Sequence, residues 1–391
     1  MSQKTWKRIF NLELIIAIVW MILCSVHPER KFYCIILAIL VVILVLTMLA
    51  EKSRYIQVTA NLLSVLTLPL IFNKTIEGIF CGLNNAFRPL ANIFSIIGLL
   101  TILVDLIPVV KVNMPTIKNW ILRLVAVEAL CFSQLATVAE FSHAPDYITT
   151  LQESGVVNAL AMFILAFVIL KAWGLKFEWN LKFIKTRNFQ WWALVILVVL
   201  SALFPFFSAF LGLAQTPAQV FNWDFSTFEM TWDGFFAAAE AGIMEETMRY
   251  LDIVVLLYIF RSSKAKAIWA VLISAILFSL GHLTNLGITA FGTYYDLTAV
   301  EQQLTYTFGL GMLFAVLYLY TGKLWLNMLI HFSFDFIVFS ETPLTRAVEP
   351  AFSKWTIAII TLAVPLIVSI FMLLGKRRRF IDDNVDRIMV R

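Results

Sequence analysis

The sequence predicts an all-α polytopic membrane protein with about 12 transmembrane helices. Hydrophobic residues make up 61% of the 391 residues, and charged residues make up only 14%. A soluble domain needs about a quarter of its residues charged, so a chain with a mean hydropathy of +0.86 cannot cover a surface in water. Its apolar residues also fall into separate runs, each near the roughly 20 residues that a spanning helix needs. These observations exclude soluble enzymes, disordered scaffolds and secreted disulfide modules.

Each apolar run predicts a helix, because backbone groups in lipid must form their hydrogen bonds within the segment. The runs lie at residues 10–26, 33–50, 55–72, 92–110, 120–141, 155–173, 190–213, 234–260, 267–283, 303–320, 324–340 and 355–374. Between them, the segment 73–91 is too polar for a span, and we expect it to be interfacial or re-entrant. We expect the aromatic stretch 221–235 to lie along the membrane interface, where Trp and Phe partition well.

The distribution of basic residues predicts the orientation of the chain. Lys and Arg favour cytoplasmic loops, and the stretches 142–154, 214–233 and 284–302 contain neither. The alternation of basic and non-basic loops places both termini in the cytoplasm. The net charge of +5 is therefore explained by the basic residues of the cytoplasmic loops. We expect the protein to interact with the lipid bilayer and not with nucleic acid.

Ionisable residues inside predicted spans indicate function, because a charge in hydrocarbon costs a few kcal/mol and usually faces a polar interior. In the eighth predicted span, Glu245 and Arg249 are four residues apart and share a helix face, and Glu246 is three residues from Arg249. Two further spans carry polar groups one helical turn apart. The sequence FSLGH contains Phe278 and His282, and the sequence HFSFD contains His331 and Asp335.

A carboxylate and two imidazoles around one cavity are the groups needed for attack by water on a carbonyl. A desolvated Glu is a useful general base. The adjacent carboxylates Glu245 and Glu246 point about 100° apart on a helix. One of them would therefore hold the water, and the other would pair with Arg249. The hydroxyls of Ser279 and Ser333 lack the GxSxG surroundings of a serine nucleophile. We interpret them as packing residues.

The motifs EETMR, FSLGH and HFSFD, in this order and each in its own predicted helix, resemble the EExxxR, FxxxH and HxxxN/D signature of the CPBP intramembrane proteases. That family includes the type II CAAX prenyl endopeptidases and the bacterial Abi proteins linked with bacteriocin self-immunity. The resemblance covers residues 190–341 and implies an intramembrane protease core there. Residues 1–189, with about six helices, have no assigned role, and residues 342–391 are expected to form a final transmembrane helix and a basic cytoplasmic tail.

The resemblance also implies a role for each matched residue. Glu245 would activate water with help from His282, and Glu246 and Arg249 would form a supporting pair. His331 and Asp335 would stabilise the oxyanion, and Phe278 would form a wall of the pocket. The last position is often Asn in the family, and an ionised Asp cannot donate a hydrogen bond, so Asp335 must be protonated, orient His331 or bind a metal.

Two questions stay open at this point. A divalent metal such as zinc could be held by Glu245, His282 and His331, which are suitable ligand types, but the HExxH motif is absent and metal-free activation of water is an equal alternative. The expected function is hydrolysis of a peptide bond in a membrane-associated, hydrophobic or lipidated peptide in a prokaryotic cell membrane, in peptide maturation or bacteriocin self-immunity. The alternatives are a secondary transporter and a catalytically silent membrane scaffold.

Overall fold

A computed structural model describes residues 1–24, 30–49, 53–136, 138–290, 293–342 and 350–389. These residues are almost entirely helical, apart from an antiparallel pair of two-residue strands, β1 (Thr289–Ala290) and β2 (Thr293–Tyr294). The chain divides into two compact units, Met1–Phe177 and Glu178–Arg391. The second unit therefore begins slightly before residue 190, and it includes the final helices beyond residue 341.

The first unit is a bundle of apolar helices. Its helices are α1 (Gln3–Cys24), α2 (Arg30–Leu49), α3 (Arg54–Ala86), α4 (Ala91–Ile102), α5 (Ile107–Asn113), α6 (Trp120–Ala136), α7 (Asp146–Glu153) and α8 (Val156–Ala172). Most of the segment 73–91 continues α3, so the expectation of an interfacial or re-entrant piece was wrong. The buried Asn84 in this segment forms hydrogen bonds inside the unit, because its amide nitrogen donates to Ser95 Oγ at 2.9 Å and to Ser142 O at 2.8 Å.

The second unit contains the helices that carry the sequence motifs. They are α9 (Trp191–Leu213), α10 (Trp232–Ile259), α11 (Lys266–Gly281), α12 (Leu297–Thr321), α13 (Leu324–Phe339), α14 (Lys354–Met372) and α15 (Gly375–Ile388). Helix α10 packs against both α13 and α11, and α12 packs against α11 and α14. The three motifs therefore lie on neighbouring helices, with the EETMR helix between the other two.

Glycines allow these helices to approach closely. A Cβ atom added to Gly242 of α10 would lie 2.8 Å from Met328 O and 3.0 Å from Phe332 N, both in the backbone of α13. A Cβ atom added to Gly311 of α12 would lie 2.9 Å from the Cα atom of Ala275 in α11. Both contacts are too short for a side chain, so glycine sets the distance between the helices of the site.

The number of membrane spans differs from the prediction. Within the described residues, 6 helices are long and apolar enough to cross a membrane, or up to 7 if the bent pair α7 and α8 forms one span. The count of about 12 is not confirmed. The physical reasons are visible in the second unit, where α10 carries several charged residues and α13 has only 16 residues.

The basic C-terminal segment folds as an amphipathic helix. Helix α15 buries Phe380, Ile381, Val385 and Ile388 and packs against α12 and α11. The Asn384 amide donates to Leu319 O at 3.0 Å and to Tyr320 O at 2.9 Å, which satisfies carbonyls in the last turn of α12. The predicted tail is thus part of the second unit.

Candidate active site

Glu246 lies at the centre of the candidate site and is completely buried. The Arg249 guanidinium donates to it through Nε at 3.1 Å and Nη2 at 3.0 Å. Asn327 Nδ2 donates to Glu246 Oε2 at 3.1 Å, and His331 Nδ1 lies 2.8 Å from Glu246 Oε1. A buried carboxylate needs paired charge and hydrogen bonds, and these three partners use the accepting capacity of both oxygens.

Glu246 also orients the His331 ring. A carboxylate can only accept, so His331 must donate from Nδ1, and its Nε2 points away from the buried pair. That Nε2 atom lies 3.5 Å from Glu245 Oε2 and 3.4 Å from Asp335 Oδ2. The imidazole therefore has one nitrogen fixed inside the protein and one nitrogen directed between two carboxylates.

Glu245 has a different environment from its neighbour in sequence. Its side chain is 25% exposed, whereas the side chain of Glu246 is 0% exposed. The 3.5 Å approach to His331 is the closest polar contact that we observe for Glu245 in the described residues. Glu245 is thus the carboxylate with accepting capacity left for a water or a substrate.

Aromatic rings enclose the charged groups. The Arg249 guanidinium lies 3.8 Å from the ring centroid of Phe278 and 5.5 Å from that of Phe314. Phe314 also stacks on His331 with a centroid separation of 5.1 Å. Cation–π contacts gain strength when they are desolvated, so the two Phe rings both exclude lipid and stabilise the buried guanidinium.

His282 reaches the cluster only through an aromatic ring. It follows the last residue of α11 in a 3₁₀ turn, and its Nδ1 lies 3.0 Å from Phe278 O. Its ring packs on Phe278 at 5.0 Å, and Phe278 lies 6.1 Å from His331. In the described residues it forms no ion pair with Glu245, Glu246 or Asp335. The structure therefore brings five predicted residues into direct contact and leaves His282 beside them.

Several residues of the site have no counterpart in the sequence motifs. Asn327 lies one turn before His331, and its Nδ2 also donates to Phe314 O at 2.7 Å. Glu240 interacts electrostatically with Glu245, Asp335 and His331, and Tyr306 interacts with Asp335 and Glu245. In the sequence, Asn327 could have been identified as a site residue from its spacing of four residues from His331. The sequence did not indicate that Phe314 and Tyr306 belong to the site, because α12 contains no pair of charged residues at helical spacing.

The two serines singled out in the sequence have ordinary packing roles. Ser279 Oγ donates to Leu304 O at 2.7 Å, and Ser333 Oγ donates to Leu329 O at 2.8 Å. A hydroxyl that bonds to a backbone carbonyl is common at helix interfaces. Neither serine has a hydrogen bond to a histidine in the described part of the chain.

The same side chains include the predicted metal ligands. Across the described ranges, no group of three or more His, Cys, Asp or Glu residues is arranged to hold a metal ion. The suggested ligands Glu245, His282 and His331 therefore do not fit a metal site as they are placed here.

Ionisable side chains buried among the helices of a membrane protein usually mark a functional site. Residues 226–337, less than a third of the chain, match the family described as type II CAAX prenyl endopeptidase Rce1-like. The matched segment lies within residues 190–341 and supports the resemblance of that region to the CPBP proteases and, at the level of the family, to an intramembrane endopeptidase. No curated protein and no solved structure matches the chain.

Proposed function

We propose that the second unit is an endopeptidase that hydrolyses a peptide bond by means of a water molecule activated by Glu245. This proposal is supported by the contrast between two adjacent carboxylates. Glu246 is fully buried and accepts hydrogen bonds on both of its oxygens, whereas Glu245 is partly exposed beside His331 Nε2. A general base needs a free lone pair within reach of the proton that it accepts. Of the two carboxylates, only Glu245 has one.

In the proposed reaction, Glu245 takes one proton from water, and the oxygen attacks the carbonyl carbon of the substrate. The electrons of the carbonyl bond move to its oxygen, which becomes an oxyanion. When this intermediate collapses, the bond between carbon and nitrogen breaks, and the protonated Glu245 gives its proton to the leaving amine. The products are one new carboxylate and one new amine, and no other reactant is needed.

His331 would stabilise the oxyanion. With Nδ1 donating to Glu246, a second proton on Nε2 makes the ring a cation that donates from both nitrogens. Donors placed where charge develops are typically the largest electrostatic contribution to acyl transfer. The Asp335 carboxylate lies 3.4 Å from Nε2 and stabilises the cationic ring electrostatically, so an acidic side chain can serve where the family often has Asn. His282, held at Phe278 O, would help to bind the water.

The proposed substrate is a hydrophobic or lipidated peptide segment that enters from the bilayer. The support for this class is the enclosure of the site by Phe278 and Phe314 among apolar helices. We place the activity in a prokaryotic cell membrane, with both termini in the cytoplasm, and in peptide maturation or bacteriocin self-immunity. The distribution of basic residues supports the orientation of the termini, and the resemblance of the motifs to the Abi proteins supports the other assignments.

The test is cleavage of hydrophobic peptides, with and without a lipid group, by the purified full-length protein in lipid nanodiscs, with products identified by mass spectrometry. We expect wild-type protein to yield two fragments and Glu245→Ala to yield none, while its thermal unfolding is unchanged. Glu301→Ala removes an exposed carboxylate of α12 and is the matched control, which should cleave normally. Ion-coupled uptake into liposomes without any product peptide would instead support a transporter.

A further inference from the structure

Two exposed tryptophans mark where the second unit meets the surface of a bilayer. Trp191 and Trp192 begin α9 and are 55% and 46% exposed. Tryptophan at the end of a spanning helix is enriched at the level of lipid headgroups. Helix α9 is among the helices long and apolar enough to cross a membrane. Side chains around these two rings are therefore at the depth of lipid phosphates.

Cationic side chains lie on these rings. Lys185 Nζ is 4.6 Å from the centroid of Trp191. The Arg377 guanidinium is 5.5 Å from the centroid of Trp192 and 3.7 Å from that of Phe371, and its Nε donates to Phe371 O at 2.7 Å. These contacts fix two cations beside the interfacial tryptophans, and neither cation forms an ion pair within the described part of the chain.

Aromatic packing joins the residues before α9 to the start of α15. Phe189 lies 5.0 Å from Trp191 and 5.1 Å from Phe380, centroid to centroid. A hydrogen bond of 2.7 Å from Thr186 Oγ1 to Asp383 Oδ2 holds the same two segments together. The surface formed here is the basic–aromatic patch, which we define by the residues Lys185, Arg187, Trp191, Trp192, Lys376, Arg377 and Arg379.

The patch has more positive charge than the protein itself neutralises. Lys376 to Arg379 are four consecutive cations in the first turn of α15, where the helix dipole is already positive and cations are unfavourable. Of these four, Arg378 reaches a carboxylate, at 3.8 Å from Asp382. Lys185, Arg187, Lys376 and Arg379 are exposed and form no ion pair in the described residues. Asp383 is also nearby, but Thr186 and Asn188 donate to it.

We propose that the basic–aromatic patch is a binding site for the headgroup of an anionic phospholipid. The cations of the basic–aromatic patch and the first backbone N–H groups of α15 are donors for a phosphate, and the tryptophans place them at headgroup depth. Basic clusters directly beside a spanning helix attract anionic lipids, by about 1 kcal/mol per Lys or Arg. Because α14 ends at Met372 and α15 begins at Gly375, the bound lipid would also hold α15 at the membrane surface.

The test is native mass spectrometry of the full-length protein released from detergent, titrated with phosphatidylglycerol or with phosphatidylcholine. We expect wild-type protein to retain phosphatidylglycerol in preference to phosphatidylcholine. Lys376→Gln combined with Arg379→Gln should weaken retention of phosphatidylglycerol about tenfold or more. Both side chains are exposed, so the unfolding temperature should not change.

The matched control is Arg261→Gln combined with Lys264→Gln, which removes one exposed Arg and one exposed Lys in the connection between α10 and α11. This control should retain phosphatidylglycerol as wild type does. Equal retention of both lipids, or an equal loss in the two double variants, would overturn the proposal. Displacement of the lipid by inorganic phosphate at millimolar concentration would show that the site takes a soluble anion, and that result would also overturn it.

Discussion

Glu245 and Glu246 are adjacent in sequence, yet the fold gives them opposite surroundings. Glu246 receives hydrogen bonds from Arg249, Asn327 and His331, whereas Glu245 keeps a partly exposed side chain. The 100° step of a helix turns one carboxylate into the bundle and the other toward the space beside His331. The first is a structural centre, and the second is the proposed base.

Replacement of Glu246 should damage the fold, while replacement of Glu245 should not. Glu246→Ala leaves the 2% exposed Arg249 without its carboxylate, and removing one partner of a buried pair costs about 3–5 kcal/mol. We expect a large fall in the unfolding temperature of Glu246→Ala in a thermal-shift measurement. Glu245→Ala should unfold as wild type does, and equal destabilisation of the two variants would contradict the distinction.

Asn327 should act on the reaction by positioning Glu246. The Asn327 side-chain amide donates to Oε2 of Glu246 and to Phe314 O. This contact keeps the other oxygen of Glu246, Oε1, directed at His331. We expect Asn327→Ala to lower kcat at least about tenfold with little change in KM, because the lost interaction positions the oxyanion donor rather than the substrate. Asn327→Ser keeps one donor and should recover part of kcat; a rise in KM alone would disprove this role.

The sequence was sufficient to identify most of these side chains but not their arrangement. Helical spacing and the family signature singled out Glu245, Glu246, Arg249, His331 and Asp335, which form one cluster joined by contacts of Glu246 and His331. The hydrogen bond between His331 and Glu246 could not be predicted, because it depends on the distance between α10 and α13. The same is true of Phe314, an apolar residue whose role arises only from packing.

At the level of the elements, the predicted C-terminal helices agree closely with the observed ones. The runs 190–213 and 324–340 correspond to Trp191–Leu213 and Leu324–Phe339. In the first unit, the run 92–110 lies within one candidate span, Arg88–Thr116, but this span contains a break between α4 and α5. Hydropathy alone does not reveal such a break, because all the residues around it are apolar except Asp105.

The distance between α10 and α13 should be critical for the site. Gly242→Ala would force its Cβ against Met328 O and Phe332 N and displace the helix that carries His331. Overpacking of this kind costs about 1–3 kcal/mol, so we expect a lower unfolding temperature together with reduced cleavage. Gly212→Ala in α9, where an added Cβ meets nothing within 4 Å, is the control. Wild-type behaviour of Gly242→Ala would show that the close approach is not required.

At the scale of the whole molecule, the two ends of the second unit should face opposite sides of the membrane. Glu229 lies just before α10, and its backbone N donates to Ser340 O after α13. At the other end of α10, Tyr258 donates to Met389 O beside α15. Basic residues are concentrated around α15, so we expect this end to face the cytoplasm according to the positive-inside rule.

Labelling with a membrane-impermeant maleimide tests this orientation. In a background in which the four native cysteines are replaced by serine, Arg379→Cys should react only in inside-out vesicles. Glu229→Cys should react only in intact cells or right-side-out vesicles. Reaction of both cysteines from one side would contradict a membrane-spanning α10.

The origin of the oxygen in the new carboxylate tests the proposed chemistry most directly. A single turnover in H₂¹⁸O, with enzyme in excess over peptide, should place one ¹⁸O atom in the new C-terminal carboxylate, because Glu245 activates water and does not attack the carbonyl itself. Glu245→Gln should yield no fragment. A first-turnover product that contains only ¹⁶O would show that an enzyme oxygen attacked the peptide, and it would contradict activation of water by Glu245.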